Sequence, residues 1–154
     1  MERTISTPLG TMCLVEADGA LVRFFWGSGG ADASPLLLEA EKQLAEYFAG
    51  TRREFALPLA PAGTEFQRKV WDALCTIPYG ETRSYGGIAA QIGNPKACRA
   101  VGMANNRNPL PILIPCHRVI GADGTLVGYG GGLDIKIALL ELEQKICKRQ
   151  QNSA

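Results

Sequence analysis

Histidine is almost missing from this chain: His117 is the only one in 154 residues. A zinc site would have to gather its ligands from scattered cysteines. Those cysteines are Cys13, Cys75, Cys98, Cys116 and Cys147, an odd number with no CxxC pair. Neither a disulfide framework nor a local zinc clip is suggested. Most of the five are expected to be buried small hydrophobes, with at most one or two reactive. No apolar run reaches the roughly 18 residues of a spanning helix. The start, Met1-Glu2-Arg3-Thr4-Ile5, lacks a basic segment followed by an apolar stretch, so no signal or transit peptide is read. A cytoplasmic protein is expected, at the nucleoid in a bacterium and with the nucleus open in a eukaryote. Repeats and low-complexity tracts are missing too.

An excess of either charge is also lacking, with 16 basic against 15 acidic residues. The distribution is uneven. Residues 1–61 carry five basic and eight acidic groups, net −3; residues 62–154 carry eleven and seven, net +4. The second half therefore permits an anionic partner without demanding one. Charged residues make up 20% and apolar residues 46%, which excludes global disorder and allows a packed core.

The pattern predicts an α+β chain with domains at 1–62 and 63–154. Thr4–Thr7, Thr11–Val15 and Leu21–Trp26 read as antiparallel strands, the last two joined by a hairpin at Asp18-Gly19. Ser34 caps a helix that has Pro35 in its first turn and stops at Gly50. Leu37, Ala40, Leu44, Tyr47 and Phe48 form its inner face. Residues 51–62 read as a linker to a mostly helical lobe. There Thr64 and Gln67 make a capping box for a helix striped by Phe66, Val70, Trp71 and Leu74 and ended by Pro78 and Gly80. Ser84–Ile92 is a short helix weakened at Gly86 and Gly87 by about 1 kcal/mol each relative to Ala. Asn94 caps and Pro95 opens the next helix, to about Asn105. A last helix runs from about Asp134 to Cys147 with Ile135, Leu139, Leu142 and Ile146 inward.

The pair Ser84–Ile92 and Pro95–Asn105 has the spacing of a helix-turn-helix, or of an ordinary helical hairpin. Its second helix carries Ala97, Ala100, Gly102 and Ala104 and lacks the long polar residues that read base edges. Arg99 is a single long cation among small residues. Further on, an apolar run delivers Pro115 and then the one histidine beside a cysteine. A thiol attacks as a thiolate, and an imidazole can take its proton. Neighbours in a strand point to opposite faces, so a Cys116–His117 interaction requires a turn or a bridging water. Cys-His by itself also fits a buried structural cysteine with a capping histidine.

Pro115-Cys116-His117-Arg118-Val119 resembles the active-site signature of the O6-alkylguanine-DNA alkyltransferases, the methylated-DNA–protein-cysteine methyltransferases. The likeness continues through Gly63–Gln67, Ile77–Thr82, Ser84-Tyr85, Arg99–Gly102, Asn105–Pro109, Gly128–Gly132 and Leu139–Glu143. It spans about 63–143; the amino-terminal lobe fits more loosely.

The resemblance implies DNA repair by irreversible, single-turnover transfer of the alkyl group of O6-alkylguanine, with O4-alkylthymine as a further candidate, to the Cys116 thiolate. No cofactor and no metal are expected. His117 would be the base toward Cys116 through a water, and Glu143 would orient His117 and stabilise its cation. Asn108 would tie the active-site turn to the preceding helix pair. Tyr85 would donate toward the departing guanine. Val119, Tyr129, Gly130 and Pro111 would contact the base, with the Gly130 N–H directed at O6.

The partner implied is double-stranded DNA, held by a monomer through the minor groove, with cooperative binding left open. Arg99 would fill the gap left by the flipped base, while Ala97, Ala100 and Gly102 allow close approach and Tyr85 faces the DNA. Three positions depart from the pattern. Gly130 stands where many relatives have Ser. Cys98 stands where Ala is common and is read as a small filler. Gly86-Gly87 replaces larger polar residues. Competing readings are a lesion-binding protein without catalysis, disfavoured by the presence of Cys116; a cysteine hydrolase using Cys116, His117 and Glu143; and a transcriptional regulator.

Overall fold

The computed structural model describes residues 1–126, Tyr129 and residues 132–152, the last two as backbone only. The chain divides into two compact units, Met1–Ala62 and Gly63–Ala154.

In the first unit, β1 (Glu2–Thr7), β2 (Gly10–Ala17) and β3 (Ala20–Trp26) form an antiparallel sheet in sequence order. The Asp18-Gly19 hairpin takes positive φ at both residues, 51° and 78°, as a tight turn between twisted strands requires. β2 is central, with Met12, Cys13 and Leu14 all buried, so it is covered on both faces. One cover is α1 (Pro35–Phe48), which buries Leu37, Ala40, Leu44 and Tyr47. Ser34 caps it, its hydroxyl accepting from Leu37 N at 3.1 Å. The segment after β3 approaches so closely that a Cβ on Gly29 would lie 2.8 Å from Cys13 Sγ. Residues 51–62 do more than connect. Leu21 N donates to the Pro58 carbonyl and Ala60 N to the Leu21 carbonyl, both at 2.9 Å, so this stretch lies along the edge of β3. Loose backbone beside an open sheet edge finds the unpaired groups there.

The second unit contains α2 (Glu65–Leu74), β4 (Arg83–Ser84), α3 (Tyr85–Gln91), α4 (Cys98–Asn106), β5 (Val119–Ile120) and α5 (Leu133–Asn152). The Thr64–Gln67 capping box is complete, with bonds of 3.1 and 3.0 Å. α2 stops at Leu74, before Pro78: Thr76 and Ile77 bond to the third residue back, a tightening that Ile77's position before proline favours. Trp71 is 2% exposed, and its ring N–H donates to the Ala104 carbonyl at 2.9 Å, locking α2 to α4. A side chain of this size contributes about 2–3 kcal/mol on burial.

α4 begins at Cys98, three residues later than expected. Asn94 is engaged in closing α3: its N–H reaches the Ala89 carbonyl and Gly93 N reaches the Ala90 carbonyl, with Gly93 at φ 81°. This is the Schellman closure. Ala97 N then bonds to the Asn94 carbonyl at 3.0 Å, a turn that sets Asn94 three residues ahead of the cap position of α4, where Ala97 offers no side-chain cap.

α5 is longer than the apolar pattern indicated and is rotated about its axis. Its buried positions are Lys136, Leu139, Leu140, Glu143 and Ile146, whereas Ile135 and Leu142 are only half-buried. Among the described residues no helix is long and apolar enough to cross a membrane. The cysteines also depart from expectation: Cys13 and Cys116 are buried, Cys147 is half-buried, and Cys75 and Cys98 are exposed. Cys98 is therefore not an interior filler; the first turn of α4 turns it outward.

Candidate active site

The loop from α4 to β5 carries the cysteine and is held at several points. Asn108 donates from Nδ2 to the Ile114 carbonyl at 2.9 Å and accepts from Leu110 N at 2.9 Å. Between these bonds Ile112 sits at φ 75°, a region a β-branched residue rarely occupies and that costs about 1–3 kcal/mol. Asn108 therefore closes the loop on itself. The tie from the loop to the preceding helix pair, expected of Asn108, is made by Asn105 on α4, whose Nδ2 donates to the Cys116 carbonyl at 3.2 Å.

Residues Cys116–Arg118 form one 3₁₀ turn, so Cys116 and His117 do not point to opposite faces as strand neighbours would. Val119-Ile120 leaves this turn and pairs in parallel with Arg83-Ser84, which places the start of α3, with Tyr85, beside the cysteine.

Two side chains and one backbone N–H, all distant from it in sequence, meet at one carboxylate. His117 Nε2 lies 2.7 Å from Glu143 Oε2. Arg118 donates from Nε to Oε1 and from Nη2 to Oε2, both at 2.9 Å. Gly80 N donates to Oε1 at 3.1 Å. Gly80 has φ 80°, and a Cβ there would stand 2.5 Å from Cys147 Sγ, so conformation and space both call for glycine. Arg118 also donates to the Ile77 carbonyl at 2.7 Å. Burial works against ionisation of Glu143, but the His117 hydrogen bond and charge, followed by those of Arg118, outweigh it and hold its carboxyl at about 2. Glu143 is therefore a permanent anion and does not accept the histidine's proton.

Burial holds the His117 imidazole below its ordinary pKa, against the opposing pull of Glu143. With Nε2 on the carboxylate, Nδ1 is left buried without a hydrogen-bond partner. Cys116 is 3% exposed. Burial pushes its thiol pKa up, while the side chains of Asn108 and Tyr129 and the charge of Lys136 favour the thiolate. Lys136 is fully buried, its ammonium donating to the Val119 carbonyl at 2.6 Å and lying 5.9 Å from the centre of the Tyr85 ring. Burial lowers its pKa and the neighbouring Cys116 raises it. The Tyr85 and Tyr129 phenols are both pushed up, first by burial and then by the charge of Cys116. They stay protonated and are donors at neutral pH.

The structure thus brings Cys116, His117, Glu143, Tyr85, Tyr129, Val119 and Asn108 into one region. Pro111 lies half-buried in the same loop, and Gly130 falls outside the described residues. Arg99 and Ala100 are exposed on α4, and Ala97 at its start is half-buried. Gly102 is half-buried, and a Cβ there would be 3.8 Å from the Tyr85 ring. Met103, one turn beyond Arg99, is 57% exposed. Sequence reasoning missed Lys136, Arg118, Asn105 and Gly80. The available signal was charge in apolar company: Lys136 and Glu143 flank Leu139-Leu140 at helical spacing, and Arg118 interrupts the run from Ile112 to Ile120. Among the described residues no three His, Cys, Asp or Glu side chains gather as metal ligands.

A helix pair beside a buried Cys–His–Glu constellation is the arrangement to compare with known proteins. The family model described as "6-O-methylguanine DNA methyltransferase, DNA binding domain" matches residues 65–145. The constitutive methylated-DNA–protein-cysteine methyltransferase of Bacillus subtilis is 49% identical over 154 aligned positions, covering 92% of this chain and 93% of that protein. A methylated-DNA–protein-cysteine methyltransferase of Methanosarcina acetivorans is 67% identical over 105 residues, 68% of this chain and 67% of that protein. The crystal structure of Mycobacterium tuberculosis OGT in complex with DNA superposes with a TM-score of 0.86 at 49% identity, covering 94% of this chain and 93% of that one. The chain belongs to the 6-O-methylguanine DNA methyltransferase family.

Proposed function

We propose that this protein binds DNA and repairs O6-alkylguanine in it by moving the alkyl group irreversibly onto Cys116. The observation that carries the reading is the Cys116 turn. A thiol stands next to an imidazole whose far nitrogen is held by a permanently ionised Glu143 and whose near nitrogen is unbonded. That arrangement suits a neutral base that accepts a proton and is stabilised afterwards as a cation.

The thiol proton passes to His117 through a water. Sulfur attacks the alkyl carbon as the bond from that carbon to O6 breaks. The leaving guanine takes a proton from Tyr85, and the proton that the thiol gave up to His117 restores the phenol, so the exchange is neutral overall. The product is a thioether that neither water nor a neighbouring acid cleaves, and each molecule acts once. Lys136 adds positive charge beside the forming thiolate and fixes the carbonyl of Val119, a residue assigned to the base. Tyr85 and Tyr129 are half-buried and mark the side from which the base enters.

The target atom lies inside the duplex, so the base must leave the stack. Exposed Arg99 among small residues supports insertion from the minor groove, with phosphate and shape rather than sequence supplying the affinity. The protein acts as a monomer, in the cytoplasm or wherever the host keeps its DNA. The test is the intact mass of the protein after incubation with duplex DNA carrying O6-methylguanine. One added methyl located on Cys116 is expected, and none in Cys116→Ser. Repeated turnover would instead favour a hydrolase, and binding without a mass change a lesion-recognition protein.

A further inference from the structure

Asn105 has no role in the reading above, yet its side chain is built into the cysteine turn. It stands on the last turn of α4 and is 1% exposed. Its Nδ2 donates to the Cys116 carbonyl, which settles the orientation of the amide, because the flipped form would set two acceptor oxygens together. Oδ1 is consequently a buried acceptor with no hydrogen-bond partner. One residue beyond Cys116, His117 Nδ1 is in the same condition, and with the ring proton on Nε2 toward Glu143 it presents a lone pair. One buried acceptor thus lies on the cysteine turn and the other on the side chain bonded to it, and the turn's cysteine carries a donor S–H. A buried acceptor left without a donor is costly. A single enclosed water has two hydrogens for the two acceptors and an oxygen for the thiol proton. Both orphaned atoms are sealed from solvent, which suits an enclosed water better than an incoming purine.

We propose that Asn105 is a positioning residue for the alkyl transfer, its Oδ1 holding one hydrogen of a water that relays the Cys116 proton to His117 Nδ1. The inference rests on the alkyl-transfer reading and deepens it. The S–H bond breaks toward the water oxygen, and a water hydrogen moves to Nδ1. The S–C bond forms as the carbon–O6 bond breaks, and the departing base takes a proton from Tyr85, which the proton held on His117 then replaces. Asn105 touches none of the reacting carbon, sulfur or oxygen atoms. It holds the water's second hydrogen so that the first points at the base. The titratable and charged groups around the relay are Arg118 on the turn, Glu143 and Lys136 from α5, Tyr85 from α3, and Tyr129.

The experiment joins a crystal structure at atomic resolution with the pH profile of methyl transfer. A water within hydrogen-bond distance of both Asn105 Oδ1 and His117 Nδ1 is expected; a structure without it, or with a water on only one of them, overturns the proposal. Asn105→Leu should slow transfer roughly tenfold at neutral pH, the worth of one hydrogen bond of ordinary strength. The deficit should close at high pH, where hydroxide removes the thiol proton directly. A loss equal at every pH would mean that Asn105 merely ties the turn, and would overturn it. So would a variant that loses the distinction between O6-methylguanine and its analogue without the 2-amino group, which would place Asn105 against the base. If Asn105→Leu does not fold, the crystal water decides. Wild-type protein that gains no methyl sinks the alkyl-transfer reading itself, an outcome distinct from an active protein whose crystal lacks the shared water.

Discussion

Replacing Glu143 by Gln tests whether one carboxylate organises both the fold and the chemistry of this site. In the native protein, Glu143 takes two bonds from Arg118, one from Gly80 N and one from His117, with no exposed surface of its own. An amide offers one oxygen and turns its NH₂ toward Arg118, so the guanidinium loses its counter-charge while buried. Breaking a buried ion pair from one side costs about 3–5 kcal/mol. Linkage gives an independent figure. A carboxyl held at about 2 in the folded protein, against 4.5 ordinarily, contributes about 3 kcal/mol at neutral pH. Because the folded pKa is the lower one, this stability is fully present above about pH 4.5 and is lost as pH falls toward 2. At roughly 2–4 °C per kcal/mol for a chain of this size, Glu143→Gln should melt about 6–12 °C below wild type at pH 7. The gap should narrow as both proteins are taken below pH 4. Circular dichroism melts across that range are the assay. A variant melting within a degree or two of wild type at pH 7 would refute the convergence of donors on Glu143.

Two further substitutions separate the remaining parts of the site. Lys136→Met removes the charge that favours the Cys116 thiolate and leaves the Val119 carbonyl without its donor. The thiol should ionise at higher pH than in wild type, so reaction with a small alkylating reagent should begin later in a pH titration; an unchanged profile would remove Lys136 from the mechanism. Arg99→Ala should slow transfer from duplex DNA far more than transfer from a free O6-benzylated base, and should reduce the slope of log affinity against log salt by up to about one. Equal losses on both substrates would end the base-flipping role.

Much of the site was legible before any coordinates, for reasons that are local. Cys116 and His117 are sequence neighbours, and the Pro115–Val119 signature marks them. The Thr64–Gln67 box is a short-range exchange of two hydrogen bonds, and Asp18-Gly19 is a turn whose dihedral needs are visible in two residues. What was misread was also local in appearance. Asn94 has the chemistry of a helix cap, but a turn after α3 leaves it three residues ahead of the place where α4 is capped. Ile135 and Leu142 continue an apolar spacing on α5, but the helix turns Lys136 and Glu143 inward instead.

The sequence by itself determined the Cys116-His117 pair, the order of strands and helices in the two units, and the small-residue helix bearing Arg99, because these follow from residue type and near-neighbour spacing. Only the tertiary structure decided which charges are buried and what they hold. Arg118 and Glu143 are 25 residues apart and Gly80 and Glu143 are 63 apart. A charged residue on a helix is ordinarily read as solvated, and that reading is reversed only when partners brought from distant parts of the chain replace the water it gives up.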